Sequence, residues 1–392
     1  MAVQYRYDIE ARYLYKDSEI IISKENIKTL MIDYEYDDKN MPILIMKCSI
    51  DKNVIDDMVE NNKKKYITLR VTKYIKDSPI KVTEKYIYYQ FSYFLDSDTI
   101  NSRKDLDYTN DTKNNEDIRK QINIGLMLQE VIDSNKKIIN SIHNNQTLLE
   151  ILLCYLSDRN ILIEDPKDDT IYNNVIIPPM NTITSFVKYM NDQYNFYSGT
   201  GYRLFYDFDK TYLLSSKGNG VLSKDEKYNT VIFTVNKTSS KDSKNLGVSV
   251  DKVNNCYSID LDTTDIEIYE NSAVPKTYGT IVGIDTEGNT TTEELDLEGA
   301  NSTNVRIERT NNLSHIKALK SEIENNVIVN ITKTELDTTI FTINKEYYIK
   351  NYSKQNNQIG KFILTNKREV YTRDSDSFIL TLLLTFKKIS KE

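Results

Sequence analysis

Alternation of apolar and polar side chains with a period of two dominates the first 95 residues. It is clear in residues 27–36 (IKTLMIDYEY), 43–50 (ILIMKCSI), 66–75 (YITLRVTKYI) and 85–94 (KYIYYQFSYF). β-Branched and aromatic residues fill these segments. The polar breakers at 37–40, 61–64 and 76–79 separate them, so each is predicted to be a strand. One change of period interrupts the series. In residues 52–60, Val54, Ile55, Met58 and Val59 fall on one helical face. Two strands, a short helix and two further strands describe a small barrel or split barrel.

Residues 96–120 are almost wholly polar and charged, too polar to pack, and are expected to form a long exposed loop. Strict alternation then returns with Ile122, Ile124, Leu126 and Leu128. A second strand is predicted over 137–142, after a turn at 133–136. The pattern changes at Thr147, where Thr147 and Glu150 have the spacing of a capping box and open the apolar helix LLEILLCYL. A second helix follows Pro178–Asn181, with Ile183, Phe186, Val187, Met190 and Tyr194 on one face. Between the helices lies a strand at 174–177. After them, strands at 201–207 and 210–216 form a hairpin about Asp207-Phe-Asp209. From about residue 228 the chain is again mostly strand, at 230–235, 257–261, 266–269, 279–283, 327–332, 345–350, 360–365 and 378–386. A helix is predicted from Leu313 to Asn325, and the polar excursion 283–304 is expected to be a loop or a protruding hairpin.

The fold class expected is therefore mainly β with an α+β insert. Three units are implied: 1–144, a barrel carrying the polar loop 96–120; 145–227, a small α+β domain; and 228–392, a second barrel carrying the excursion 283–304. The length of 392 residues fits such a division.

Composition removes most catalytic chemistry. There are two histidines (His143 and His315), three cysteines (Cys48, Cys154 and Cys256), no Trp and only 11 Gly. No cysteine pair has the close spacing of a zinc or redox site, and Cys48 and Cys154 are expected to be buried small hydrophobes. His143 lies in an Asn-rich turn and His315 heads a helix, and neither has a plausible partner nearby in sequence. No Gly-rich phosphate loop, nucleophile elbow or zinc-protease helix occurs. The carboxylate pairs Asp96/Asp98, Asp207/Asp209, Asp260/Asp262 and Asp374/Asp376 are expected by chance among 58 acidic residues. Asp285 to Asn289 lacks the glycine and glutamate of a calcium loop, so a surface turn is the expectation. No catalytic, cofactor-binding or metal site is assigned, and no cofactor is expected.

No cationic segment followed by an apolar one marks a signal peptide, and the apolar run 378–386 is too short to span a bilayer. A soluble protein from a reducing compartment, without stable membrane insertion, is expected. The net charge of −7 argues against sequence-independent DNA adhesion. The local run Asn61–Tyr66, with three lysines, is expected to be a solvated turn or strand edge. The 29 tyrosines must fill large aromatic positions in a chain without Trp. Tyr5/Tyr7, Tyr13/Tyr15, Tyr34/Tyr36 and Tyr86/Tyr88 fall on the polar phase of strands, which favours use in protein interfaces.

The order of elements resembles a family. Residues 32–37 (IDYEYD) followed by Met41-Pro-Ile-Leu look like the opening of baseplate or tail hub proteins of tailed bacteriophages and related contractile injection systems, the late-control-D and VgrG N-terminal-like hubs. The middle carries 175–180 (VIIPPM), 186–190 (FVKYM), 194–197 (YNFY) and 201–214 (GYRLFYDFDKTYLL), similar to the helix-then-hairpin block between two barrels of such hubs. The strands at 360–364 and 378–386 look like those of a hub's second barrel. The excursions 96–120 and 283–304 fall outside the resemblance.

What the resemblance implies is a structural virion role rather than an enzyme: a homotrimer whose two barrels per subunit form a pseudo-sixfold ring. Such a ring joins a hexameric tail tube to a trimeric central spike or tail lysozyme, contacts other baseplate proteins, and passes DNA through its channel. Assembly would take place in the host cytoplasm, ending in the virion tail. An acidic or neutral channel lining would let DNA slide without sticking. Two other roles stay open on the residues alone: a tail-associated cell-wall hydrolase, which needs two converging carboxylates, and a tail adaptor or receptor-binding protein.

Overall fold

The computed structural model describes residues 5–37, 39–61, 65–76, 84–95, 119–157, 159–166, 170–194, 196–197, 201–216, 228–235, 248–252, 254–270, 279–285, 287–295, 304–309, 316–317, 319–320, 327–334, 336–351 and 358–389. Most of the expected loop 96–120 lies outside them. Arg119 and Lys120, its last two residues, already belong to a strand.

The first part of the chain contains β1 (Tyr5–Tyr15), β2 (Ser18–Ile22), β3 (Ile27–Glu35), β4 (Ile43–Asp51), α1 (Lys52–Asn61), β5 (Ile67–Ile75), β6 (Glu84–Leu95), β7 (Arg119–Leu128) and α2 (Gln129–Ser134). The middle contains β8 (Ile139–His143), α3 (Leu148–Leu156), β9 (Asn160–Ile163), β10 (Val175–Met180), α4 (Ile183–Tyr194), β11 (Tyr202–Tyr206) and β12 (Lys210–Ser215). The remainder is β13 (Thr230–Val235), β14 (Val248–Asp251), β15 (Cys256–Leu261), β16 (Ile266–Glu270), β17 (Thr280–Ile284), β18 (Thr290–Glu294), β19 (Val305–Arg309), β20 (Val327–Thr334), β21 (Glu346–Asn351), β22 (Gln358–Asp374) and β23 (Ser377–Lys388). The chain is mainly β, as expected.

Fourteen of these strands follow one another in a single hydrogen-bonded order, with β2 paired on β1 at its side. Part of that order closes on itself. β22, β3, β4, β7, β6, β5, β1 and β23 each pair with the next, and β22 pairs with β23, giving an eight-stranded antiparallel barrel. Closure removes the exposed strand edges that invite aggregation. The barrel's inner rows are apolar: Tyr7, Ile9, Ala11 and Tyr13 on β1, and Ile122, Ile124, Leu126 and Leu128 on β7. Eight strands leave an interior just wide enough for side chains, so this barrel is packed and is not a conduit.

The other part is a curled sheet in the order β14, β15, β13, β21, β22, β23, β20, β16. β13 runs parallel to both its neighbours. Curling brings Phe233 of β13 to 5.4 Å from Phe386 of β23, with Tyr347 of β21 at 5.0 Å from the same ring.

Both sheets use one hairpin. The first residues of β22, Gln358–Phe362, pair with β21, whereas Asn366–Thr372 pair with β3. On the return strand, Phe378 pairs with Tyr7 of β1 and Thr381–Lys387 pair with β20. A bulge between Leu364 and Asn366 marks the change, and bulges bend a strand locally.

The middle segment carries a two-stranded sheet, β8 with β10, and a three-stranded one in which β12 lies between β11 and β9. Thr147 caps α3 as its spacing predicts, and the reciprocal bond from the Thr147 backbone N–H to Glu150 is present. The β11–β12 hairpin plugs one end of the barrel. Phe205 lies 4.6 Å from Tyr36 and Phe208 stacks on Tyr89 at 5.4 Å. The polar excursion forms the antiparallel hairpin β17–β18, joined by β19 parallel to β17, over a small core of Ile281, Leu295 and Ile316. Of the predicted helix at 313–325, Ile316, Lys317, Leu319 and Lys320 are helical, while His315 and Ile323 lie outside the described residues.

Candidate functional site

β22 reads as a charged run between Lys367 and Glu369, yet this run lines the barrel. Alternation points Lys367, Glu369 and Tyr371 inward. Glu369 is fully buried, lies 3.2 Å from Lys367 and accepts the Tyr371 hydroxyl at 2.7 Å. The Lys367 ammonium sits 4.0 Å from the Tyr34 ring centroid, and Tyr371 meets Tyr7 edge-on at 5.0 Å. Burial, then the Glu369 charge, drives the Tyr7 phenol well above its usual range. A buried ion pair adds little net stability, but losing one partner leaves an unpaired charge in the core.

On the outer side of the same strand, Arg368 and Asn366 both donate to Asp33 of β3, at 3.3 and 3.2 Å. Two further contacts tie the parts together. Arg203 of β11, buried, donates to the carbonyl of Leu364 at 3.1 Å. Lys73 of β5 pairs at 2.9 Å with Asp337, on the connection between β20 and β21.

The expectation that strand tyrosines serve interfaces is corrected here. Tyr7, Tyr13, Tyr34 and Tyr36 are all buried, because their phase is the inner face of the barrel. Tyr13 donates to Asp57 of α1 at 2.5 Å, and its ring stands 5.8 Å from Tyr93. Tyr88 is exposed, Tyr5 and Tyr15 are half-buried, and the side chain of Tyr86 is not among those described. The lysine run at 63–65 is also partly redirected: Lys65 pairs with Asp57 at 2.7 Å.

His143 has partners that the sequence did not reveal. Its Nδ1 lies 2.6 Å from Gln146 Oε1, an acceptor to which Nδ1–H donates. Nε2 is 3.0 Å from Ser141 Oγ and 2.9 Å from Tyr155 Oη of α3, and those two hydroxyls also meet each other. The group braces β8 against α3. Cys48 and Cys256 are buried, and burial pushes the Cys48 thiol up to about 12. Cys154 is exposed, contrary to expectation, because α3 buries Leu148, Ile151, Leu152 and Leu156 and turns Cys154 away.

Asp207 and Asp262 shape turns. Asp207 Oδ1 accepts from the Phe208 backbone N–H at 2.8 Å, and burial raises its carboxyl. Asp262 donates its backbone N–H to Asp265 at 2.9 Å, while Asp374 and Asp376 are exposed at the β22–β23 turn. Asp96/Asp98 lie outside the described residues. Asp285 accepts backbone N–H groups from Glu287 and Asn289 at 2.9 and 2.7 Å. This closes a turn in which Gly288 holds φ +87°, a conformation that suits glycine. Among the described residues, no three His, Cys, Asp or Glu side chains gather as a metal site, and no helix is long and apolar enough to cross a membrane.

What the surface does offer is apolar. Ile142 of β8 and Ile176 of β10 sit opposite each other and are exposed, with Ile138 beside them. On the barrel, Ile45, Gly125 and Phe94 form one row across β4, β7 and β6.

Residues 2–389 match the family described as Bacteriophage PBS1 gene 109 protein. The chain belongs to that family. In fold, this family member is similar to the tail protein from Neisseria meningitidis MC58, at 8% identity and TM-score 0.51, covering 98% of this chain and 97% of that one. It is also similar to a chain of the half-lidded Francisella PdpA-VgrG complex, at 10% identity and TM-score 0.50, covering 99% of this chain. A lidless PdpA-VgrG complex matches at 11% identity and TM-score 0.50. The chain spans 59% and 66% of those two PdpA-VgrG chains, respectively. Identities this low speak for a shared fold. No curated protein matches in sequence. The family and the fold agree with the resemblance to phage tail and baseplate proteins.

Proposed function

We propose that this protein is a structural component of a phage tail, a homotrimeric baseplate hub that joins a hexameric tail tube to a trimeric central spike. The observation that carries this reading is the shared β22–β23 hairpin. It welds a closed barrel and a curled, barrel-like sheet into one chain, so three copies would present six similar units to a sixfold tube. The expected division at 144/145 and 227/228 stands in this reading as a first barrel, a middle α+β domain and a second barrel, with the hairpin common to both ends. Its partners would be two further copies of itself, the tube protein, the spike or tail lysozyme, and other baseplate proteins. It would assemble in the host cytoplasm and end in the virion.

The barrel is filled by side chains, so a DNA path would run between subunits rather than through one. The net charge of −7 suits a path along which DNA slides. A non-catalytic role is favoured because the carboxylate pairs within the described residues are engaged in turns or exposed on the surface. Labelling virions with an antibody to this chain tests the reading. Label at the tail tip supports it, and label on the capsid or none on the particle contradicts it. A zymogram on host cell walls is expected to stay without clearing.

A further inference from the structure

β8 and β10 form a two-stranded sheet that, among the described residues, pairs with no other strand. Its inner face carries Ile139, Val175 and Ile177, all buried. On its outer face Ile142 and Ile176 stand opposite each other, 65% and 62% exposed, and Ile138 beside them is 77% exposed.

The two strands differ as edges. In β10, Pro178 and Pro179 carry no N–H, and the Ile176 carbonyl already accepts the Tyr189 hydroxyl of α4 at 3.0 Å. β8 has no proline. Alternate residues of an edge strand turn their N–H and C=O away from the partner strand. Among the described residues, none outside β10 bonds the backbone from Ile139 to Ile142. β8 therefore keeps a row of backbone donors and acceptors open beside an apolar face. Edges are usually guarded by charge, proline or a bulge, and here the nearest lysines, Lys136 and Lys137, come before the strand. The surroundings are uncharged too. Residues 138–146 and 170–180 contain no Asp, Glu, Lys or Arg, in a chain that is 28% charged.

We propose that β8 is a docking edge, to which another protein adds an extended, uncharged segment with β-branched apolar residues at alternate positions. Backbone bonds to β8 hold the segment, and the row of Ile138, Ile142 and Ile176 selects apolar side chains on its outer face. A charged side chain placed there would lose water without gaining a partner. A second copy is the poorer occupant. Its end strands β14, β16, β18 and β19 each carry a carboxylate. Pairing β8 with β8 is a twofold contact that closes no threefold ring, an exclusion that rests on the trimeric reading above.

The test is fluorescence anisotropy of the purified full chain with a fluorescein-labelled, seven-residue peptide alternating Val and Thr, together with amide hydrogen exchange of β8. Saturable binding is expected, with slower exchange over Ile139–His143. N-methylating one alternate set of the peptide's amides is expected to abolish binding and methylating the other set to leave it, because a strand bonds along one edge. Ile142→Lys, with circular dichroism confirming its fold, is expected to weaken binding at least about tenfold. Ile45→Lys, on the barrel wall, is expected to leave it unchanged. No saturable binding, equal binding of both methylated peptides, or unchanged exchange in β8 overturns the docking edge and leaves the hub reading to the virion label. If sedimentation instead shows wild type pairing twofold and Ile142→Lys separating the pair, a second copy holds the edge and the proposal falls as well.

Discussion

The backbone N–H of Tyr36 donates to the carbonyl of Thr365 at 3.0 Å, where β22 leaves β21 and takes up β3. Thr365 is the bulged residue, and its hydroxyl donates to the Thr385 carbonyl on the return strand at 3.1 Å. Both sides of the crossing are therefore held by hydrogen bonds. Replacing the hydroxyl in Thr365→Val is expected to lower unfolding free energy by about 1 kcal/mol, as measured by urea titration.

Glu369 leaves Lys367 without its carboxylate if it is removed. Glu369→Leu is expected to lose about 3–5 kcal/mol, and Lys367→Met together with Glu369→Leu to recover most of that loss. A double mutant as unstable as the single one would mean that the cost lies in packing rather than in the stranded charge. The same urea titrations check both.

Ser375 sits at φ +54° in the two-residue turn that joins β22 to β23. Glycine adopts this region without a Cβ penalty. Ser375→Gly is expected to stabilise the protein by about 1 kcal/mol or less, seen as a higher melting temperature. A lower one would mean that the gain is outweighed by greater freedom of the unfolded chain.

Acid should loosen the contacts between the two sheets. Burial works to raise the Asp337 carboxyl, but the hydrogen bond and charge of Lys73 outweigh it, so its folded value lies below the ordinary one. Asp33 is also held low: burial is outweighed there by Arg368 and other hydrogen bonds. A lowered folded value gives stability that is complete above the unfolded value near about pH 4 and is lost as pH falls through the folded one. Melting temperature is expected to fall below about pH 4, and Asp337→Asn to flatten that fall. An unchanged slope in Asp337→Asn would remove this carboxylate from the account.

Much of this arrangement was legible in the chain. The alternation of β4 and β7 and the capping box at Thr147 are local signals, and local geometry honours them. What was hidden depends on distant pairing. The strand predicted at 360–365 stops short of Asn366 because Lys367 and Glu369 neutralise each other only inside a barrel formed with β3, far away in sequence. The tyrosines of β1 and β3 looked like surface residues because a Tyr is amphipathic, and only barrel closure decides which phase is inner. β9 is four residues long and pairs in parallel with β12, so no turn announces it. His143 found partners in Gln146 on the adjoining turn and in Tyr155 one element away.

The central claim is that one chain supplies two barrel-like units to a threefold ring. Electron microscopy of the purified protein, viewed end-on, tests it most directly. The account predicts a ring of three copies with six similar densities around an open centre. Single chains at every concentration, or closed particles lacking a central opening, would contradict it.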